Sequence, residues 1–302
     1  MRRLTFSLYL LAISTALGSA QQYDLVLAGG RVMDPETGMD AVRNVGIRDG
    51  RIVRITSEAL NGHRVIQANG LVVAPGFIDL HQHAQNLASQ RVKALDGVTT
   101  ALEMEIGAPD VADFLKAKEG QSLIHYGTSA SQVAARSLAF GTPLPAGTIL
   151  PKTGPATDQH ATPEQIETML QRLREELDAG GLAVGMGIQY TPGATRSEVI
   201  DVFRLAAERG LPVYTHVRSA GRAEPGSAIE SVGEVIGAAA ITGAPLHIVH
   251  LNSSCALDSI ECLAMIEGAR ARGGQHRLRI QPQSHRSGDN RTDRRSEETG
   301  IR

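Results

Sequence analysis

From Pro75-Gly76 onward the sequence alternates short apolar runs with amphipathic stretches, and few folds accept that alternation. Phe77 to Leu80 reads as a strand and Leu87 to Leu95 as a helix. The same pair recurs as Val98 to Met104 with Val111 to Lys118, and as Leu123 to Tyr126 with a helix over 163–179. It recurs again as Leu182 to Ile188 with Ser197 to Glu208, Leu211 to Thr215 with Ala228 to Thr242, and Leu246 to Val249 with Asp258 to Arg270. Thr162-Pro163-Glu164-Gln165 marks one helix start: a capping hydroxyl, a Pro that needs no N–H partner, then an acid near the positive helix end. Six β/α units in series predict a parallel sheet with crossover helices. The class is α/β, of the TIM-barrel type. A closed barrel needs eight strands and about 250 residues. The expectation is therefore an incomplete barrel over 76–274, carrying about six units.

Residues 21–75 read differently. Tyr23 to Leu27 precedes Gly29-Gly30, and Val45 to Arg48 meets Asp49-Gly50 before Arg51 to Ile55 resumes the alternation, a hairpin signature. With the short runs around Asn69-Gly70, this segment is expected to be part of a small β-sandwich. Residues 1–20 carry Arg2 and Arg3, a mostly apolar stretch from Leu4 to Leu17, and small residues at Gly18-Ser19-Ala20. They predict a cleaved signal peptide and a periplasmic or secreted chain. Residues 275–302 hold seven Arg and few apolar side chains. They predict an aberrant, disordered tail without a strand, and hence an interrupted copy of the fold. The formal charge of −2, from 30 basic and 32 acidic residues, argues against nucleic acid as a partner. No segment after the signal is apolar enough for a membrane span.

The chemistry concentrates in Phe77-Ile78-Asp79-Leu80-His81-Gln82-His83. Residues two apart on a strand share a face, so His81 and His83 point the same way, as a chelating pair should. His216 and His250 each follow an apolar strand, at the C-terminal ends where barrel enzymes keep their sites. These four are candidate metal ligands. His247 is expected to be structural. Glu103 and Glu105 share a face on an otherwise apolar strand, where buried carboxylates need a compensating cation. Glu105, nearer the strand end, is the candidate bridging ligand, with Glu103 the alternative. Asp79 reads as a structural acid or as a partner that orients a ligand. Cys255 and Cys262, if carried on one helix, stand about 10.5 Å apart along its axis, too far to bridge, and are expected as buried thiols.

The order FIDLHQH, GVTTALEMEIG, GMGIQYTPG, YTHVRS, HIVHLNSS resembles the amidohydrolase superfamily, and within it the D-aminoacylase branch of N-acyl-D-amino-acid deacylases, including those acting on N-acyl-D-glutamate. The resemblance covers residues 23 to about 272. It implies a metal-dependent barrel hydrolase binding one or two Zn2+ through His81, His83, His216 and His250. Relatives commonly place a Cys after strand two; here Ile106 stands there, with Glu105 beside it. Tyr190 matches a substrate-contacting Tyr, and Arg218 is a candidate for a substrate carboxylate or for a structural ion pair. The implied substrate is a small N-acyl amino acid. The family's proton-transferring Asp at strand eight has no counterpart, so no catalytic acid or base is assigned and turnover is expected to be impaired. A dihydroorotase-like or hydantoinase-like cyclic-amide hydrolase is the alternative enzyme, disfavoured because no Lys lies between Leu182 and Tyr190. A metal-binding remnant without catalysis is the alternative of another class.

Overall fold

The computed structural model describes residues 23–272 and the backbone of residues 280–282. The expected signal peptide and most of the expected tail lie outside the described residues. The chain divides into two compact units, Met1–Gly76 and Phe77–Arg302. No helix among the described residues is long and apolar enough to cross a membrane.

The first unit is one five-stranded sheet: β1 (Tyr23–Asp34), β2 (Met39–Arg48), β3 (Arg51–Thr56), β4 (Gly62–Gln67) and β5 (Val72–Val73). Its order is β3-β2-β1-β4, with β5 also on β1. Arg48 stands opposite Arg51, so the expected hairpin forms around Asp49-Gly50. Both turn residues have positive φ, 51° and 70°, the twist that suits a two-residue hairpin loop. β1 continues through Gly29-Gly30, beyond the Tyr23 to Leu27 run read from the sequence, because a register shift between Leu27 and Gly30 absorbs the irregularity.

The second unit is the β/α alternation. Its strands are β6 (Phe77–Asp79), β7 (Val98–Ala108), β8 (His125–Ser131), β9 (Val184–Gly187), β10 (Val213–His216), β11 (Leu246–Ile248) and β12 (Ile280–Pro282). All pair in parallel and in chain order. An unreversed order is the winding of a barrel, whereas a doubly wound sheet reverses part-way. The helices are α1 (Leu87–Leu95), α2 (Val111–Lys118), α3 (Gln132–Ala139), α4 (Pro155–Asp158), α5 (Pro163–Asp178), α6 (Arg196–Glu208), α7 (Ala228–Thr242), α8 (Leu251–Cys255) and α9 (Ser259–Arg272). The main core lies between sheet and helices, with Leu173, Met186, Phe203, Val232, Ile248 and Cys262 all buried in it. A smaller cluster of Met104, Ala183, Tyr214 and Val249 is separate from it. His247 stacks on Tyr214 there, ring centroids 4.4 Å apart.

Four expectations need correction. The tail is not wholly without a strand: β12 pairs with β11, Leu246 opposite Ile280. Its three residues carry too little apolar pattern to be read from sequence. The third strand is His125–Ser131, not Leu123 to Tyr126; its buried end is Thr-Ser-Ala-Ser, which lacks the apolar signature of a strand. A helix, α3, follows it directly, unpredicted because its buried face includes Gln132, Arg136 and Ser137. Cys255 and Cys262 form a disulfide, with Cα atoms 6.6 Å apart. They do not share a helix. Ala256 at φ 47° breaks the chain between α8 and α9, so the axial spacing of a single helix never applies.

Candidate metal centre

In a flat sheet β7 and β10 would lie three strand spacings apart, about 14 Å. Yet Glu105 of β7 reaches His216, the last residue of β10, at 2.6 Å. The sheet is therefore curled, and its concave mouth gathers side chains from four strand ends. β7 and β8 lose register between Glu103 and Ala108. Such an irregularity re-aims side chains at barrel rims. It delivers both carboxylates to the mouth, 4% and 2% exposed.

The two oxygens of Glu105 divide four imidazoles between them. Oε2 lies 2.7 Å from His81 Nε2 and 2.9 Å from His83 Nε2. Oε1 lies 2.6 Å from His216 Nδ1 and 2.8 Å from His250 Nε2. Within each pair the ring nitrogens also approach each other: His81 to His83 at 2.9 Å, His216 to His250 at 3.0 Å. The His250 backbone is left-handed, φ 32° and ψ 46°, a conformation costly for a residue with a Cβ and typical of functional positions. That kink ends β11 early and turns the ring into the cluster. Ser254 Oγ lies 3.2 Å from the other nitrogen of this ring.

The electrostatics follow from the geometry. Burial pushes the Glu105 carboxyl up, but hydrogen bonds from His216, His250, His81 and His83 outweigh it and hold the group well below the usual carboxylate range. Glu103, then Glu105, hydrogen-bond His83 and raise it to about 10. Burial, and next the Glu105 charge, raise the Tyr190 hydroxyl. So many nitrogens crowded on one carboxylate either share several protons or surround cations.

The donor set fits divalent ions. His81, Glu105 and His250 place ligand atoms within 4.8 Å of one another. Imidazole nitrogens plus a carboxylate oxygen are the donors of zinc and similar first-row metals. The structure thus brings five of the sequence candidates together: His81, His83, Glu105, His216 and His250. Glu103, the alternative bridge, instead accepts from His83 Nδ1 at 2.6 Å and from the Ile106 N–H at 3.2 Å. Asp79 accepts the His81 backbone N–H at 3.0 Å and pairs with Lys93, so it steadies the ligand loop and not a ring.

Tyr190 follows β9 in a 3-10 turn and meets the His216 ring edge-on, centroids 5.1 Å apart. Gly187 permits this fold-over: a Cβ there would come within 2.7 Å of the Tyr190 ring. Arg218 is committed elsewhere. It grips Glu234 with two bonds of 2.9 and 2.7 Å and donates to the Pro192 carbonyl at 3.0 Å. Of its two sequence readings, the ion pair is the one seen. Sequence reading missed Gln189, whose Oε1 sits 2.5 Å from His216 Nε2; an amide beside a Tyr carries no distinguishing signal.

No family model matches the chain. The N-acyl-D-glutamate deacylase of Alcaligenes xylosoxydans xylosoxydans is 30% identical over 285 residues, 87% of this chain and 57% of that protein. The D-aminoacylase of the same organism is 29% identical over 222 residues, 67% of this chain and 46% of that protein. A dihydroorotase of Streptococcus pneumoniae serotype 4 matches at 37% identity over only 99 residues, 30% of this chain and 24% of that protein. The chain spans about half the length of the deacylase relatives it matches. Among solved structures, an N-acyl-D-glutamate deacylase from Bordetella bronchiseptica, complexed with zinc and a phosphonate mimic of the tetrahedral intermediate, superposes with a TM-score of 0.70 at 23% identity, over 87% of this chain and 58% of that one. That likeness establishes the fold. Long sequence matches and the barrel winding agree: over most of its length the chain is similar to proteins named D-aminoacylase and N-acyl-D-glutamate deacylase, and it shares their fold.

Proposed function

We propose that the cluster is the two-metal centre of a zinc hydrolase for linear amides of N-acyl-D-amino acids. The supporting observation is Glu105, with one carboxylate oxygen on His81 and His83 and the other on His216 and His250. His81 and His83 with one oxygen, and His216 and His250 with the other, would hold the ions. Zinc held there would supply Lewis-acid activation of the amide carbonyl and of water.

The chain's own residues set the rest. Tyr190 stands over His216 with its hydroxyl kept protonated, a hydrogen-bond donor for a substrate oxygen beside the centre. Arg218 acts through Pro192, whose carbonyl it holds, and so fixes the Tyr190 turn. Glu103 and Glu105 are engaged by imidazoles, so neither serves as the proton-transferring base. β9 offers no Lys to bridge metals, against a cyclic-amide hydrolase. For the cell, we propose export, guided by the signal-like residues 1–20, and a small-molecule substrate as partner.

The test is zinc loading followed by hydrolysis of N-acetyl-D-glutamate, with the L-isomer and dihydroorotate as comparisons. Selective release of D-glutamate supports the reading. Tight zinc without hydrolysis supports the metal-binding remnant, and preferred opening of dihydroorotate supports the cyclic-amide reading.

A further inference from the structure

We propose that Glu103 and Gln189 are positioning residues of this centre: each holds one imidazole by its outer nitrogen and so dictates which nitrogen faces a metal ion. The inference rests on the metal-centre reading above. One Glu103 oxygen accepts the Ile106 N–H at 3.2 Å and the other lies 2.6 Å from His83 Nδ1, placed to accept the hydrogen of that nitrogen. In a neutral ring that leaves His83 Nε2, 2.9 Å from both His81 and Glu105, as the nitrogen that would face an ion in place of a shared proton. At His216 the order is reversed. Gln189 Oε1 lies 2.5 Å from Nε2, placed to accept its hydrogen, so in a neutral ring Nδ1, 2.6 Å from Glu105 and 3.0 Å from His250, is the nitrogen that would face an ion.

Neutral imidazole has two tautomers, and the wrong one aims an N–H at the cation. A fixed acceptor on the outer nitrogen removes that state. Glu103 is well placed for the task. It is buried, and its second oxygen is tied to the Ile106 N–H at 3.2 Å, so the carboxylate stands still. Both oxygens are thereby engaged, which leaves bridging to Glu105. Gln189 belongs to the same turn as Tyr190, which packs on the His216 ring edge-on. One turn thus fixes both the tilt of that ring and its proton.

The test compares wild type with Glu103→Ala, Gln189→Ala, Glu103→Gln and Gln189→Glu. Zinc affinity is read by competition with a chromophoric chelator, and ring protonation by nitrogen NMR of the histidine-labelled, zinc-loaded chain. The Ala variants are expected to bind about 10- to 100-fold more weakly. The Gln and Glu variants keep an acceptor oxygen and stay close to wild type. The spectra should show hydrogen on His83 Nδ1 and on His216 Nε2. Ala variants with wild-type affinity and spectra overturn the proposal. So do conservative variants as weak as the Ala ones, which would make the effect one of packing. A wild type that takes up no zinc overturns the metal-centre reading itself, and the wild-type measurement alone reveals that case.

Discussion

Replacing Arg136 with Met should be among the most destabilising single changes in the second unit. Arg136 and Glu198 are both fully buried. The guanidinium donates to Glu198 at 2.8 and 3.3 Å, to the Ala156 carbonyl, and to the Gln159 carbonyl at 2.7 Å. Arg136→Met keeps much of the volume but strands a buried carboxylate and two carbonyls. Breaking a buried pair from one side costs about 3–5 kcal/mol. For a unit of this size that is a fall in melting temperature of roughly 6–20 °C, at about 2–4 °C per kcal/mol. The effect should reach the site. The Thr157 carbonyl accepts the Gly193 N–H at 2.8 Å, and His160 Nδ1 lies 2.9 Å from the Gly193 carbonyl, so the loop that carries Tyr190 leans on the segment Arg136 anchors. The assay is thermal unfolding by circular dichroism, with Arg136→Met/Glu198→Leu alongside. The double variant should recover much of the loss, because no uncompensated charge remains. A single variant melting within about 2 °C of wild type would refute the reasoning.

Reducing the Cys255–Cys262 disulfide releases a loop of seven residues' separation and should lower stability by about 2 kcal/mol, read as a shift of the urea midpoint; an unmoved midpoint counts against the bond. His83 is raised from 6.5 to about 10 by Glu103 and Glu105. Its pairing therefore stabilises the metal-free protein fully below pH 6.5, and that contribution is lost as pH rises through about 10. Denaturation of the chelator-treated protein should show stability declining across this window, while zinc, which competes with the same proton, binds more tightly as pH rises. A flat profile for both would contradict the proton assignment. His216→Ala should cost one zinc site and leave the other; unchanged zinc content removes His216 from the ligand set.

The legible parts of the sequence were those with a period. His81 and His83 are two apart on a strand, and the strand-end places of His216 and His250 follow from where apolar runs stop. α5 begins at Pro163 because Thr162 and Gln165 form a reciprocal cap, visible as a motif. The parts that escaped depend on partners distant in sequence. α3 hides its helical pattern because its buried face holds Arg136, whose partner is 62 residues away. The end of β8 is Thr-Ser-Ala-Ser, buried against neighbouring strands and without hydrophobic signature. The disulfide escapes a sequence reading because a chain reversal at Ala256 leaves no mark in composition. Arg218 is held by Glu234 on α7, a partner that its own sequence neighbourhood does not reveal. The choice between Glu103 and Glu105 turned on which imidazoles each oxygen meets, and no spacing rule reports that.

Everything proposed for this chain rests on Glu105 dividing four histidines into two binding places. Elemental analysis of the purified protein, dialysed against trace zinc, tests that directly. The account predicts two zinc ions per chain in wild type, and a fall in that content when Glu105→Ala removes the shared oxygens. Zinc absent from wild type, or equally abundant in Glu105→Ala, would contradict it.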